Sequence, residues 1–420
     1  MKKLIAVSII LALFASFAVA QEEKIGEIGF STWSQANFVP LAIYDHDDNS
    51  DTDNAWSFIG PYWGGKSVSP IRVNTTITGK TDFAGFQIDL SYDGAQEVQD
   101  FDPNATVAPN RSFATKTIRF FTDSDNVKLW VKPVSVLKLT YGKMKEDDLR
   151  GKVGDFSYFA PYGYVGLGDQ DQIFERFEPN NGFHLALTPV EGLYIGSSVN
   201  LDGVSNSSIS GASVPGGDDV WQDNIQTGLG YTIANIGLVR AQYIGRGLYT
   251  PSSSALGVKY NGRIEAAFAF TGMEGLTVDL GTKIFLWKDA GDTDPLFELA
   301  LGAAFASGDF DIAALIDAQF AKDETDANSF KLYLKPGYNL GAFKVGADVG
   351  FSNVGSHNLA GKPKGAMDIG PWIEKSVAGG ALQIGVMLAI PFGDYTGTGA
   401  SGTKDGQLAF SIPVAATVSF

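Results

Sequence analysis

The sequence predicts an all-β chain: a transmembrane, antiparallel, up-and-down β-barrel of about 18 strands, with 16 as the alternative count. Three observations carry this expectation. The first is the last stretch of the chain. Leu408, Phe410, Ile412, Val414, Ala416, Val418 and Phe420 fall on one side of an extended strand. Gln407, Ala409, Ser411, Pro413, Ala415, Thr417 and Ser419 fall on the other. One side suits hydrocarbon and the other suits water. The second is recurrence of the pattern. Phe86, Ile88, Leu90 and Tyr92 alternate with Gln87, Asp89, Ser91 and Asp93, and Phe343 to Ser352 and Leu382 to Ile390 behave alike. Such segments run about 9–13 residues, the length of a tilted strand crossing a bilayer. The third is the spacing of the connections.

Short connections are expected at 82–85, 134–136, 189–191, 234–235, 272–275, 308–309, 341–342 and 376–380. Longer ones are expected at 38–67, 94–112, 147–180, 202–222, 246–258, 288–294, 323–328, 355–366 and 393–405. The two kinds alternate strictly. Eight turns and nine loops give 18 strands, with both chain termini on the short-turn side. The stretch 112–133 is the least regular. It reads either as one over-long strand broken at 123–126 or as a strand plus an external hairpin, hence the alternative of 16. Two turns share a pattern: LALTPVEGLYI (Leu185–Ile195) and FAFTGMEGLTV (Phe268–Val278) align without gaps, as one reused hairpin turn.

The N-terminus points to export. Lys2 and Lys3 precede an apolar run, Leu4 to Phe17, and Ala18-Val19-Ala20 before Gln21 is an A-x-A cleavage pattern. Residues 1–20 are therefore expected to be a removed signal peptide, and 21–420 a single barrel domain. The chain has no cysteine, so stability must come from elsewhere than disulfides. A closed sheet with every strand paired is one such source. Net charge is −16, and loss of Lys2 and Lys3 makes it −18 (29 basic minus 47 acidic), which argues against nucleic acid as a partner.

Chemistry-bearing motifs are scarce. The acidic run Asp45–Asp53 has Ser50 and Trp56 where a calcium loop needs Gly and Glu, so it reads as a solvated surface loop. His46, His184 and His357 lack ligand spacing, no GxSxG occurs, and Gly163–Gly168 has the wrong spacing for a dinucleotide turn. Neither an enzyme nor a resident metal or cofactor is expected.

What remains is the inward face. With the apolar side against lipid, the opposite side carries Arg72, Lys128, Lys132, Arg240, Arg263, Lys283 and Lys335 among its bases, and Glu265, Asp279, Asp317 and Asp348 among its acids. These are candidate pore-lining residues. They either pair across neighbouring strands and keep the wall wet, or set up a transverse field that orients solutes. The loop Asp147–Asn180 is long and aromatic. It offers Arg150, Lys152, Tyr158, Tyr162, Tyr164 and Arg176 as candidates for a constriction. Three placements are open: inside the barrel, on its rim, or against another subunit.

The plan as a whole resembles the porins of Gram-negative and spirochaetal outer membranes. The shared features are the leader, the even strand count, the alternating connections and the terminal Phe420, which resembles the assembly signal of outer-membrane barrels. The stretch NVKLWVKPVSVLKLTYGKMKEDDLRGK (Asn126–Lys152) is similar to a segment of treponemal outer-membrane proteins. The resemblance implies an outer-membrane location and passive diffusion of small hydrophilic solutes and ions. The partners it implies are outer-membrane lipid, the barrel-assembly machinery and two further copies in a homotrimer. The alternatives are a surface adhesin or structural barrel, a transporter of hydrophobic compounds, and a soluble exported β-sandwich.

Overall fold

The alternating segments pair into a sheet that closes on itself. The computed structural model describes residues 26–44, 55–60, 62–63, 66–67, 71–93, 126–154, 165, 170–179, 181–201, 225–245, 260–287, 295–322, 328–353, 365–392 and 409–419. The first strands are β1 (Glu27–Tyr44), β2 (Ala55–Gly60), β3 (Tyr62–Trp63), β4 (Lys66–Ser67), β5 (Ile71–Lys80), β6 (Ala84–Asp93), β7 (Val127–Val134) and β8 (Leu137–Lys143). Then come β9 (Gly182–Leu187), β10 (Leu193–Asn200), β11 (Ile225–Ile233), β12 (Gly237–Gly245), β13 (Tyr260–Met273), β14 (Leu276–Trp287), β15 (Pro295–Ser307) and β16 (Phe310–Ala321). The last are β17 (Ser329–Asn339), β18 (Lys344–Ser352), β19 (Gly365–Val377), β20 (Gly380–Gly385), β21 (Met387–Phe392), β22 (Ala409–Ser411) and β23 (Val414–Ser419).

From β5 to β19 each strand pairs antiparallel with the next. β1 pairs with β5 on one flank and with β22 and β23 on the other, which closes the barrel. β20 with β21, and β22 with β23, are each one crossing interrupted once, so the barrel has 18 crossings. It is a transmembrane-type all-β barrel. The outer face carries exposed Leu129, Leu229, Val239, Ile264, Leu280, Ile284, Leu382 and Ile384, a hydrocarbon-facing belt.

The eight short turns lie where the sequence puts them. The two similar turns share their geometry: Gly192 (φ 81) and Gly275 (φ 75) each stand directly before the second strand, in the left-handed region open to glycine. Prolines account for the interrupted crossings. Val386 N–H donates to the Pro371 carbonyl (2.9 Å), and Gly385 N–H to the Pro413 carbonyl (3.0 Å). Neither proline can donate in return, so the ladder lapses there.

Several expected boundaries are corrected. The first connection does not begin at residue 38. β1 continues to Tyr44, because its outer half pairs with β2 (Val39 opposite Gly60, Tyr44 opposite Ala55) and with β22. The final strand is broken at Ile412–Pro413. β7 begins at Val127; the residues before Asn126, where two readings stood open, lie outside those described, as do the leader, the acidic run Asp45–Asp53 and Phe420. The connection after β8 starts at Met144 and contains one helical turn, α1 (Gln170–Ile173).

Candidate functional site

The described parts of the connection from β8 to β9, residues 144–154, 165 and 170–179 of segment 144–179, lie against the inner wall of the barrel. The two limbs run side by side. Glu146 and Phe177 form an antiparallel bridge, with Glu146 N–H to the Phe177 carbonyl at 2.9 Å and Phe177 N–H to the Glu146 carbonyl at 3.1 Å. Gly151 N–H donates to the Phe174 carbonyl at 3.1 Å. Asp171 on α1 ties the limbs together: its carboxylate accepts from Arg150 Nε (2.6 Å) and from an Arg176 guanidinium nitrogen (2.9 Å). Arg150 and Arg176 thus fold the segment onto itself.

The segment is seated on the inner wall by apolar contact. Met144, Leu149, Val153, Ile173, Phe174 and Phe177 are fully buried. Val153 and Ile173 pack with inward Ala300, Leu315 and Tyr333, and Leu149, Phe174 and Phe177 with inward Ala267. Inward glycines make room for this. A Cβ on Gly281 would overlap the Ile173 carbonyl oxygen, one on Gly302 would stand 3.0 Å from Val153 Cβ, and one on Gly350 2.9 Å from Val165 Cβ.

Polar anchors complete the seat. Three wall carboxylates accept main-chain N–H groups of the segment: Asp279 from Lys152 (2.6 Å), Asp368 from Val165 (2.7 Å) and Glu265 from Glu175 (3.0 Å). Each is also held by charge or burial. Asp279 accepts both oxygens' worth of contact from an Arg240 guanidinium nitrogen at 2.6 Å, and neither side chain is exposed. The Arg240 guanidinium lies 5.0 Å from the Phe174 ring centroid. Arg263 reaches both Glu175 of the segment and Glu265 of the wall. Gln242 donates to the Glu175 carbonyl (3.0 Å) and Gln226 to the Arg176 carbonyl (2.9 Å).

The barrel was compared with known proteins. No known family profile matches the sequence, and no curated protein does. Solved structures do match. Pseudomonas aeruginosa OccK9 (OpdG) is 10% identical with a TM-score of 0.50, covering 95% of this chain and 100% of its own. Acinetobacter baumannii OccAB4 is 10% identical with a TM-score of 0.49, covering 94% and 99%. An anion-selective porin from Comamonas acidovorans is 13% identical with a TM-score of 0.48, covering 94% and 100%. The likeness to OccK9 is one of fold.

Within this barrel the candidate residues fall into three groups. Arg240, Arg263, Glu265, Asp279 and Lys283 face inward but are covered rather than bare to the lumen. Lys128 (9% exposed) is likewise covered, paired with Glu146 at 3.0 Å. A second group is reached by solvent. Lys132 is exposed near the short-turn rim, 5.5 Å from the Trp130 ring centroid; Lys335 is half-buried, 5.9 Å from that of Trp372; Asp317 is half-buried, in register with Lys331. The side chain of Lys152 is exposed on the segment, while Asp348 is buried in the wall. The third group is not described: Tyr158, Tyr162 and Tyr164, and the side chain of Arg72, whose backbone pairs with Asp93 and Gln35.

Pairing between neighbouring strands accounts for Lys283–Glu298 at 2.7 Å. Arg240 and Asp279 instead reach over an intervening strand, and so do Asp311 and Lys344 at 2.7 Å. His184 is a wall residue under the segment, hydrogen-bonded to Ser198 (2.7 Å) and Tyr194 (3.0 Å) and packed on Phe177.

Glu146 gives the seat a pH limit. Burial pushes its carboxyl up, but Lys128 and Lys138 (3.0 and 3.2 Å) outweigh burial and hold it below the ordinary carboxylate range. A lowered folded value means the pair stabilises docking above the ordinary range and is lost as pH falls through that lowered value. Cleavage of the segment by an added protease should therefore stay slow from neutral through weakly acidic solution and speed up only in strong acid. In Glu146→Gln the faster cleavage should already be present at neutral pH.

Proposed function

We propose that the chain is a non-enzymatic outer-membrane porin, in which small hydrophilic solutes and ions diffuse through a lumen narrowed by segment 144–179. The observation that carries the reading is the seat of that segment inside a closed 18-crossing barrel whose outer face is apolar. A barrel of this strand number is wide enough to hold an aqueous channel, and a segment laid on one wall reduces its bore without sealing it. In this reading Lys152, with the undescribed Tyr158, Tyr162 and Tyr164, forms the constriction. Arg150 and Arg176 shape it from behind.

The same reading places the short turns in the periplasm, removes residues 1–20 on export, and assigns Phe420 to recognition by the barrel-assembly machinery. A kinship with spirochaetal porin-like proteins rests on Asn126–Lys152 alone. Assembly as a homotrimer in outer-membrane lipid follows the same analogy.

The test is the purified, detergent-folded protein in a planar bilayer. Stable ohmic steps are expected, with a mild cation preference because the excess negative charge falls in the long connections of the sequence. Absence of conductance from a correctly folded barrel would overturn the pore. Reversal potentials of the anion-selective sign would overturn the preference.

A further inference from the structure

The inner wall is divided by charge. Among the described residues, every strand from β12 to β19 places at least one charged side chain inward, and this part of the wall holds the three carboxylates that accept main-chain N–H groups of segment 144–179. The other half differs. β20, β21, β22 and β23 contain no charged residue at all. β1 has only Glu27, which pairs with Lys80 at 3.1 Å at the short-turn end. β5 has charge only at its two ends, Arg72 and Lys80.

On this neutral half, pairing sets six polar or aromatic residues side by side on the inward face. Trp33 is in register with Asn74, Ser31 with Thr76, and Thr78 with Gln87. Their parity is that of Asp89, which is buried in the wall opposite Thr76. All six are half-buried or exposed. Lys128, in register with Gln87, borders them but is paired with Glu146, and Arg72 and Asp93, in register with each other, stand at the outer end. Asp89 is the acid directly beside them, and its charge is shielded. It is 2% exposed and accepts from Thr76 (2.8 Å), Gln87 (3.1 Å) and Asn126 (2.8 Å). Asn74 Oδ1, buried in the wall, has no hydrogen-bond partner among the described residues.

We infer that this patch is a binding lane for uncharged polyhydroxylated solutes, sugars and polyols. The inference rests on the porin reading above and narrows its substrate class. An ion moving along a wall so sparse in charge loses hydration and gains little in return. A neutral polyol exchanges water for amide and hydroxyl partners at nearly even cost. Trp33 offers a flat apolar plane for the C–H face of a sugar ring, and Asn74, Thr76 and Gln87 supply acceptors and donors beside it.

The experiment is efflux of three solutes of matched size, glucose, gluconate and protonated glucosamine, from proteoliposomes at equal ionic strength. Glucose should leave about threefold faster than either ion, the value of roughly one net hydrogen bond. Trp33→Ala should bring the three rates together. Asn74→Asp adds a charge to the lane and should raise glucosamine efflux above that of glucose, and it carries the test should Trp33→Ala not assemble. Equal rates in the unaltered protein, or an Asn74→Asp barrel that conducts but leaves the three rates unchanged, would overturn the lane while the pore stands. No efflux of any solute and no conductance would overturn the pore itself.

Discussion

Asp279→Ala will loosen segment 144–179 from the wall and raise single-channel conductance. The carboxylate does two jobs at once: it neutralises Arg240 in a site without solvent, and it accepts the Lys152 main-chain N–H. Its removal leaves a guanidinium and an amide buried and unpaired. Stripping one partner from such a pair costs about 3–5 kcal/mol. The barrel need not bear that cost, because its strand ladders are untouched and undocking returns both groups to water. The segment therefore yields first. Trypsin should then cut at Lys145, Arg150 or Lys152 in the folded barrel, where it is slow in the parent. Arg240→Leu combined with Asp279→Leu removes the charge along with its partner and should recover part of the docking. Unchanged conductance together with an unchanged cleavage pattern in Asp279→Ala would count against the anchoring role.

Gly281→Val separates the stability of the barrel from that of the docked segment. In an isolated strand the change is favourable, since valine suits a pleated surface and glycine does not, by up to about 1 kcal/mol. At this position the new side chain would occupy the space of the Ile173 carbonyl. Backbone cannot retreat as a flexible side chain can, so overpacking costs about 1–3 kcal/mol against docking. Thermal unfolding of the barrel should hold or rise while conductance increases and the segment becomes protease-sensitive. Gly154→Ala, which meets nothing within 4 Å, is the matched control and should change neither. If Gly281→Val docks and conducts like the parent, close approach at this glycine does not position the segment.

The barrel is legible in the sequence because a strand's period of two writes its two environments into alternate residues. That is why all eight short turns and the closure of the last strand could be placed from residues alone. Parity, however, tells which face a residue is on and not what covers it. Arg240, Asp279 and Glu265 have the right face for a wetted wall, yet they hold a segment more than a hundred residues away in sequence for Asp279. A signal for this was present and unread. Ala267, Gly281, Ala300, Gly302 and Leu315 are small or apolar at inward positions where a lumen would favour polar groups, and Leu149, Val153, Ile173, Phe174 and Phe177 are apolar in a connection that solvent would disfavour. Each set explains the other. The carboxylates' use of main-chain donors leaves no trace in residue type, so Lys152 and Val165 could not have been identified as the groups they bind.

The seat of the segment also fixes an order of events in biogenesis. Asn126, Lys128 and Lys138 precede it in the chain, but its other described partners, from His184 to Asp368, follow it. When residues 144–179 emerge, most of the surface they will cover does not exist. Contacts of such long sequence separation form late. The nascent protein therefore passes through a wide bore before it acquires a narrow one, and the ladder of hydrogen bonds must be nearly complete before the interior can be furnished.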